Sequence, residues 1–178
     1  MENTKRTEFL KNEFFLMSWL AAVQRNRSFA KLEEKDIEKK RREFRKEIRE
    51  KIYEMLPMYE KNVDLEKKHI ENIKSLIQIS EKYPEIFDAG GNDESIGKLN
   101  AGTAQKLLNM MLKYCWCAGW ITMPPEMPID SRNLDTLKAI AKEKGRSKDI
   151  FTVNWTTDIK DVAEYEKIMV QSRILCDC

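Results

Sequence analysis

Lys106 and Asp130 are the two side chains whose types and settings suggest covalent chemistry. Lys106 belongs to a polar stripe, with Gln105, Asn109 and Lys113, on an otherwise apolar segment, and these residues are spaced to share one helix face. An amine in apolar surroundings beside a second cation is more readily neutral, which a lysine nucleophile requires. A carboxylate at the start of a helix is kept ionised by backbone N–H groups. A lysine and an aspartate in these settings could therefore do chemistry.

The same residues also have purely structural explanations. Lysines on an apolar helix commonly extend their ammonium groups to solvent at its edge, so Lys106 and Lys113 would mark where the helix meets water. An aspartate directly after Pro128 and Ile129, and before a helical pattern, is an ordinary N-cap. Capping and catalysis are compatible for Asp130, so the sequence leaves both interpretations open.

The spacing of these residues follows a known catalytic segment. Gly102-x-x-x-Lys106-x-x-Asn109-x-x-Leu112, followed after a loop by Ile129-Asp130, resembles the catalytic segment of the helix-hairpin-helix DNA glycosylases. The resemblance covers residues 99–134. It departs from the family in having one glycine before the lysine, and in a longer loop that contains three prolines.

The resemblance implies a DNA base-excision enzyme, a hydrolase that extrudes a nucleotide into a pocket between the central helix and the proline loop. Lys106 would form a Schiff base with the deoxyribose, and Asp130 would support departure of the base. The expected substrate-binding residues are Gln105, Asn109, Lys113, Trp116 and Trp120. Contacts to the DNA backbone are expected from Lys98, Gly102, Thr103 and Arg132. Tryptophans in such positions are more often core residues than platforms for a base. Lys98, Thr103 and Arg132 are equally well explained as ordinary surface residues.

Composition limits the partners. The chain has 178 residues, 42% of them hydrophobic, which suffices for one core, and a net charge of only +2. Attraction to DNA must therefore be local. Between Glu94 and Glu126 there is no acidic residue, although the interval contains Lys98, Lys106 and Lys113, so we expect a positive potential there.

The sequence also bears on the cellular location and on cofactors. Charges interrupt every apolar run before it reaches membrane-spanning length, and the amino terminus has no signal-peptide pattern, which predicts a cytoplasmic protein without membrane contact. The cysteines form two Cys-x-Cys pairs, at 115/117 and 176/178, whose spacing favours reduced thiols over a metal site or an iron-sulfur cluster. No cofactor is predicted.

Apolar periodicity predicts an all-α fold, a single compact bundle of about six helices resembling the glycosylase fold. Residues 1–178 are predicted to form one all-α domain, in which 1–87 are N-terminal helices and 95–178 the glycosylase-like segment. The predicted helices are 7–23, 31–57, 63–82, 101–118, 131–145 and 159–175.

Several details of these helices are specific enough to test. Pro57 should end the second helix, Gly119 should cap the fourth, and Asp130 should cap the fifth. His69 is placed on the polar side of the third helix because it follows two lysines. Residues 88–92 are predicted to be a loop, 120–128 a stiff extended connector, and 150–153 a short strand at most.

The alternative to an enzyme is a non-catalytic helical module that binds nucleic acid or a protein. Its surface would be the helix from Lys31 to Lys51, where basic and acidic side chains alternate at spacings typical of a solvated helix. The same amphipathic helix also suits a structural subunit of a larger assembly.

Overall fold

Six α-helices make up most of the described structure, a computed structural model covering residues 2–24, 29, 35–60, 65–87, 97–146 and 153–176. They are α1 (Glu2–Trp19), α2 (Lys35–Tyr59), α3 (Leu65–Ser80), α4 (Ala101–Cys117), α5 (Ser131–Glu143) and α6 (Val162–Cys176). A π-helical turn, Leu20–Gln24, extends α1, and a 3-10 turn, Pro84–Ile86, follows α3. These ranges contain no strand, which confirms the predicted fold class. None of the described helices has the length and apolarity needed to cross a bilayer.

Helix α4 lies at the centre of the bundle. All of its residues from Ala101 to Leu112 are buried, and it packs against α1, α3 and α6. The sequence predicts this position because α4 carries apolar residues on nearly every side. A helix surrounded in this way buries its polar residues as well, so Gln105, Lys106 and Asn109 all lie inside the protein.

The predicted ends of the helices that frame the site are largely confirmed. The carboxylate of Asp130 accepts a hydrogen bond from the backbone N–H of Asn133 at 3.1 Å, which makes it the N-cap of α5. Gly119 directly follows Ala118, the C-cap residue of α4. Its φ of +72° is the left-handed conformation that ends the helix. Between these two points the chain is irregular, as the prolines at 124, 125 and 128 predict.

Two predictions about α2 and α3 are wrong. Helix α2 continues through Pro57 to Tyr59, because a proline in the last turn costs one hydrogen bond while Tyr59 gains complete burial. His69 is fully buried and not on the polar side. It lies four residues after Leu65 and four before Ile73, on the core-facing stripe of α3, and this periodicity outweighs its charged neighbours.

Two predicted segments cannot be compared with the structure. Residues 88–92, predicted to be a loop, and 150–152, most of the suggested short strand, lie outside the described residues.

Candidate active-site cleft

Lys106 and Asp130 meet although 24 positions separate them in the sequence. The Nζ of Lys106 lies 3.5 Å from Oδ2 of Asp130, and their side chains are 6% and 21% exposed. Helix α4 supplies the lysine, and the N-cap of α5 supplies the carboxylate. Because the cap bond uses Oδ1 and the lysine approaches Oδ2, the carboxylate caps the helix and pairs with the amine at once.

The two groups open onto a cleft with a volume of about 540 Å³, which we call the lysine cleft. This volume is in the range of small-molecule sites in proteins. Lys113 and Arg132 also line the cleft, so three cations stand against the single carboxylate of Asp130 among its described lining residues. The cleft therefore favours an anionic ligand.

Trp155 forms the third side of the lysine site. Its ring centroid lies 3.9 Å from Nζ of Lys106, a cation–π contact, and only 6% of the residue is exposed. Trp155 was not among the candidate site residues identified from the sequence. A single tryptophan in a polar turn was the available signal, and nothing local says which helix it covers.

The turn that carries Trp155 is docked on the start of α4. The backbone N–H of Gly102 donates to the carbonyl of Ile159 at 2.9 Å, and the Asn100 side chain donates to the carbonyl of Thr156 at 2.6 Å. A Cβ on Gly102 would collide with the carbonyl oxygen of Trp155. Glycine is therefore required here for the close approach of two backbones.

This docking corrects two predicted phosphate contacts. The N–H of Gly102 is bonded to Ile159, and the N–H of Thr103 donates to the Oδ1 of Asn100 at 2.8 Å. Both residues are buried. The start of α4 thus satisfies its free N–H groups within the protein, and neither Gly102 nor Thr103 presents a donor to DNA.

Gln105 holds the connector in place and does not face the cleft. Its Nε2 donates to the carbonyl of Ile129 at 2.8 Å, and its Oε1 accepts from the N–H of Ile129 at 3.0 Å. Gln105 and Ile129 are both fully buried. Since Ile129 directly precedes Asp130, Gln105 sets the position of the carboxylate, a structural role in place of the predicted substrate contact.

Asn109 is also engaged within the protein. Its Nδ2 lies within hydrogen-bond distance of the Tyr165 hydroxyl (3.1 Å), the carbonyl of Met127 (3.3 Å) and Oε1 of Gln105 (3.2 Å). Its side chain also interacts with His69, although its own Oδ1 and the Nε2 of His69 have no hydrogen-bond partner in the described structure. Asn109 thus links α4 to the connector, α6 and α3, although it also lines the cavity described next.

A second cavity, of about 710 Å³, lies beside the lysine cleft and is mainly apolar. We call it the proline cavity because Pro124, Pro125 and Pro128 form part of its wall. Lys113, Asn133 and Pro128 line both spaces, so the two are neighbours. Trp116 lines the proline cavity and is 47% exposed, which leaves its ring available to a ligand.

Two of the remaining predicted residues lie away from both spaces. Trp120 packs on Phe14, with ring centroids 5.2 Å apart, and lines neither the lysine cleft nor the proline cavity, which agrees with its alternative interpretation as a core residue. Lys98 is exposed and its Nζ donates to Glu81 at 2.9 Å. Arg132 is exposed at the edge of the lysine cleft, where a phosphate contact stays a prediction.

Glu126 is a buried acid that the sequence analysis did not identify. One carboxylate oxygen pairs with Arg173, and Oε2 has no hydrogen-bond partner in the described structure. Burial raises the pKa of Glu126 to about 7, although Arg173 opposes this shift. It lies between Pro125 and Met127 in the connector, and this local sequence gave no sign of burial.

The described cysteines are free thiols. Cys115 is buried in α4, where burial raises the pKa of its thiol to about 12, while Cys117 and Cys176 are exposed. In the described part of the chain no group of three or more metal-ligating side chains comes together. Cys178 lies outside the described residues.

Comparison with known proteins gives no further guide to the role of this site. No protein-family model, curated protein or solved structure matches the chain. The candidate active site therefore rests on its own geometry.

Proposed function

We propose that the protein is a DNA base-excision enzyme of the glycosylase type with Schiff-base lyase chemistry, in which Lys106 is the nucleophile and Asp130 the supporting carboxylate. The observation that carries this proposal is the 3.5 Å approach of Nζ to Oδ2 at the wall of a cleft. The glycosylase-like fold type that the sequence suggests is part of the same proposal.

Lys106 and Asp130 each have one role in the proposed chemistry. The neutral amine of Lys106 attacks C1′ of the deoxyribose, and the electron pair of the N-glycosidic bond leaves with the base. The carboxylate of Asp130 stabilises the positive charge that develops on the sugar. The nitrogen bonded to C1′ then loses a proton to solvent. Its electron pair forms the C=N bond of the Schiff base as the C1′–O4′ bond breaks and O4′ takes a proton from solvent.

Ion-pair energetics favour a functional interpretation of this pair. Replacing a buried ion pair by apolar side chains is often neutral or stabilising, so Lys106 and Asp130 are not explained by stability alone. The other buried residues of helix α4 carry no charge. A lysine and a carboxylate at the wall of a cleft are suited to a ligand that enters between them.

The lysine cleft and the proline cavity suit different parts of a nucleotide. Lys113 and Arg132 give the lysine cleft the positive charge that a phosphate requires. The neighbouring proline cavity has apolar walls and a half-exposed Trp116, which suit the flat faces of an extruded base. Sugar chemistry in the cleft and base binding in the cavity would then occur side by side.

An abasic-site duplex tests the proposal without knowledge of the excised base. Borohydride should trap a covalent complex between this duplex and the wild-type protein, and peptide mapping should place the adduct on Lys106. The Lys106→Ala variant should lose the complex. Lys142→Ala, which removes an exposed lysine from the last turn of α5, is the matched control and should trap normally. Trapping that survives Lys106→Ala would remove Lys106 from the mechanism.

The Asp130→Asn variant separates formation of the Schiff base from release of the base. An abasic site has already lost its base, so this variant should still form the Schiff base. It should be unable to release a base from an intact damaged duplex. If Asp130→Asn and the wild type release base equally fast, the carboxylate has no part in the chemistry.

The competing hypothesis of a binding module on α2 has less support. Its cations are largely used within the protein: Lys40 pairs with Glu85, and Arg41 pairs with Glu38. Arg45 lies over the ring of Trp19, 5.5 Å from its centroid. Cations paired in this way have less to gain from phosphates. We therefore expect Arg42→Glu, on the exposed face of α2, to leave DNA binding unchanged, whereas Arg132→Glu should weaken it.

A further inference from the structure

The surroundings of Lys106 raise the question of how its amine loses a proton. The carboxylate of Asp130 and the ring face of Trp155 both stabilise the ammonium form over the neutral amine. The sequence predicts the opposite, a more readily neutral amine, from apolar neighbours and a second cation. Both contacts therefore favour the form of Lys106 that cannot attack a carbon atom.

We propose that Trp155 is a positioning residue that, with Asp130, stores Lys106 as an ammonium until a ligand enters the lysine cleft and separates the amine from the carboxylate. Given the nucleophilic role proposed for Lys106, Trp155 thereby prevents reaction with adventitious aldehydes while the cleft is empty. Entry of a sugar between Nζ and Oδ2 would remove the contact with the carboxylate, and the ammonium would then lose its proton to solvent.

The backbone fixes the ring over the amine. The turn of residues 154–158 is held by the hydrogen bond from the N–H of Gly102 to Ile159 and by that from the Asn100 side chain to Thr156. Within the turn, the N–H of Asn154 donates to Asp158 at 2.8 Å. Trp155 therefore reaches Lys106 from a turn that is hydrogen-bonded to the start of α4.

The other charged groups around the cleft act in the opposite direction. Lys113, from α4, and Arg132, from α5, line the same space and disfavour a further positive charge there. Burial of Lys106 also disfavours the ammonium, because it removes water from the charge. An apolar side chain in place of Trp155 would keep the charge away from water and would not stabilise the ammonium. Only an aromatic face at this position offsets part of the cost.

Competitive acetylation of the DNA-free protein measures the proposed effect. Trace acetic anhydride reacts with neutral amines only, so the acetylation rate of Lys106 across a pH series, read by mass spectrometry, reports its neutral fraction. Trp155→Leu should raise the rate at neutral pH by between about twofold and thirtyfold, the range expected for a lost cation–π contact. Trp155→Phe keeps a weaker ring and should give a smaller increase.

Two controls separate this effect from loss of structure. Trp120→Leu makes the same substitution at a tryptophan that packs on Phe14 away from the cleft, and should leave the Lys106 rate unchanged. Exposed Lys142 in every variant serves as the internal reference. Asp130→Asn should raise the Lys106 rate as well, since it removes the other stabilising contact.

The outcomes are distinct. An unchanged or slower rate in a folded Trp155→Leu protein would overturn the proposal, because a purely structural tryptophan or an inflow of water would give that result. If both Trp155 variants fail to fold, the wild type decides: Lys106 must reach half-maximal reactivity at a pH no lower than Lys142 does, and a lower value overturns it. Acetylation needs no DNA. If borohydride trapping fails but the acetylation rates are as expected, only the proposed function is contradicted.

Discussion

Replacing Gln105 by methionine tests whether the connector is held by this one side chain. Methionine has a similar length and a good helix propensity, so α4 itself should be preserved. The substitution removes the acceptor for the N–H of Ile129 and the donor to its carbonyl, which are bound at 3.0 and 2.8 Å. Both groups belong to a fully buried residue, so water cannot replace the lost partners.

The expected cost follows from these two groups. A buried donor or acceptor left without a partner costs about 1 to 3 kcal/mol, so the pair gives a loss of about 2 to 6 kcal/mol in the free energy of unfolding. The additional bond from Gln105 to the carbonyl of Gly102 lies within α4 and contributes less. The next residue after Ile129 is Asp130, so its carboxylate should also move away from Lys106.

Denaturant-induced unfolding of Gln105→Met measures the first effect, and borohydride trapping or Lys106 acetylation measures the second. Gln78→Met, on the exposed face of α3, is the matched control and should change the unfolding free energy by no more than about 0.5 kcal/mol. A Gln105→Met protein within 0.5 kcal/mol of the wild type would refute the reasoning, because the connector would then be held by other contacts.

Three further substitutions have defined outcomes. The pKa of Glu126 is raised by burial from 4.5 to about 7, so its contribution to the free energy of unfolding is largest at acidic pH and is lost as the pH rises through about 7; Glu126→Gln should flatten this part of the stability profile measured by denaturant unfolding. The pKa of His69 is lowered by burial from 6.5 to about 4, so its contribution is present above pH 6.5 and is lost as the pH falls toward 4; His69→Gln should remove that loss in the same measurement. Gly102→Ala should lower the thermal unfolding midpoint sharply, because its Cβ meets the Trp155 carbonyl, whereas Gly145→Ala, at a site open around the added Cβ but with φ +67°, should cost only the strain of its backbone conformation.

Features that depend on nearby residues could be predicted from the sequence. The caps at Asp130 and Gly119 follow from residue type and the adjoining helical pattern, and both lie where they were expected. The central position of α4 follows from its apolar residues, which leave no polar face wide enough for solvent. The nearness of Lys106 to Asp130 was predicted by the spacing of a known segment, and periodicity alone would not have brought them together.

Features that depend on distant residues could not be predicted. Gly102 was interpreted as a phosphate contact because the resembled family carries glycines before the lysine whose backbone N–H groups meet phosphate. Its actual neighbour is the backbone of Trp155, which is 53 positions away in the sequence. Gln105 and Asn109 were assigned to a ligand because polar residues on an apolar helix suggest a site. They bind the backbone of Ile129 and the hydroxyl of Tyr165, which only the tertiary fold brings close.

The polar residues of α4 divide by their distance from the cleft, and this division is the strongest argument that the cleft has a function. Gln105 and Asn109 are occupied by hydrogen bonds that hold the connector and the surrounding helices. Lys106 lies between them in sequence, but its ammonium faces Asp130 and Trp155 at the cleft wall. Two buried amides fix the connector without any charge, so the ion pair is not needed to hold it. Hydrogen bonds thus form a frame around an ion pair that the frame does not require. This arrangement is expected of a preorganised reactive group.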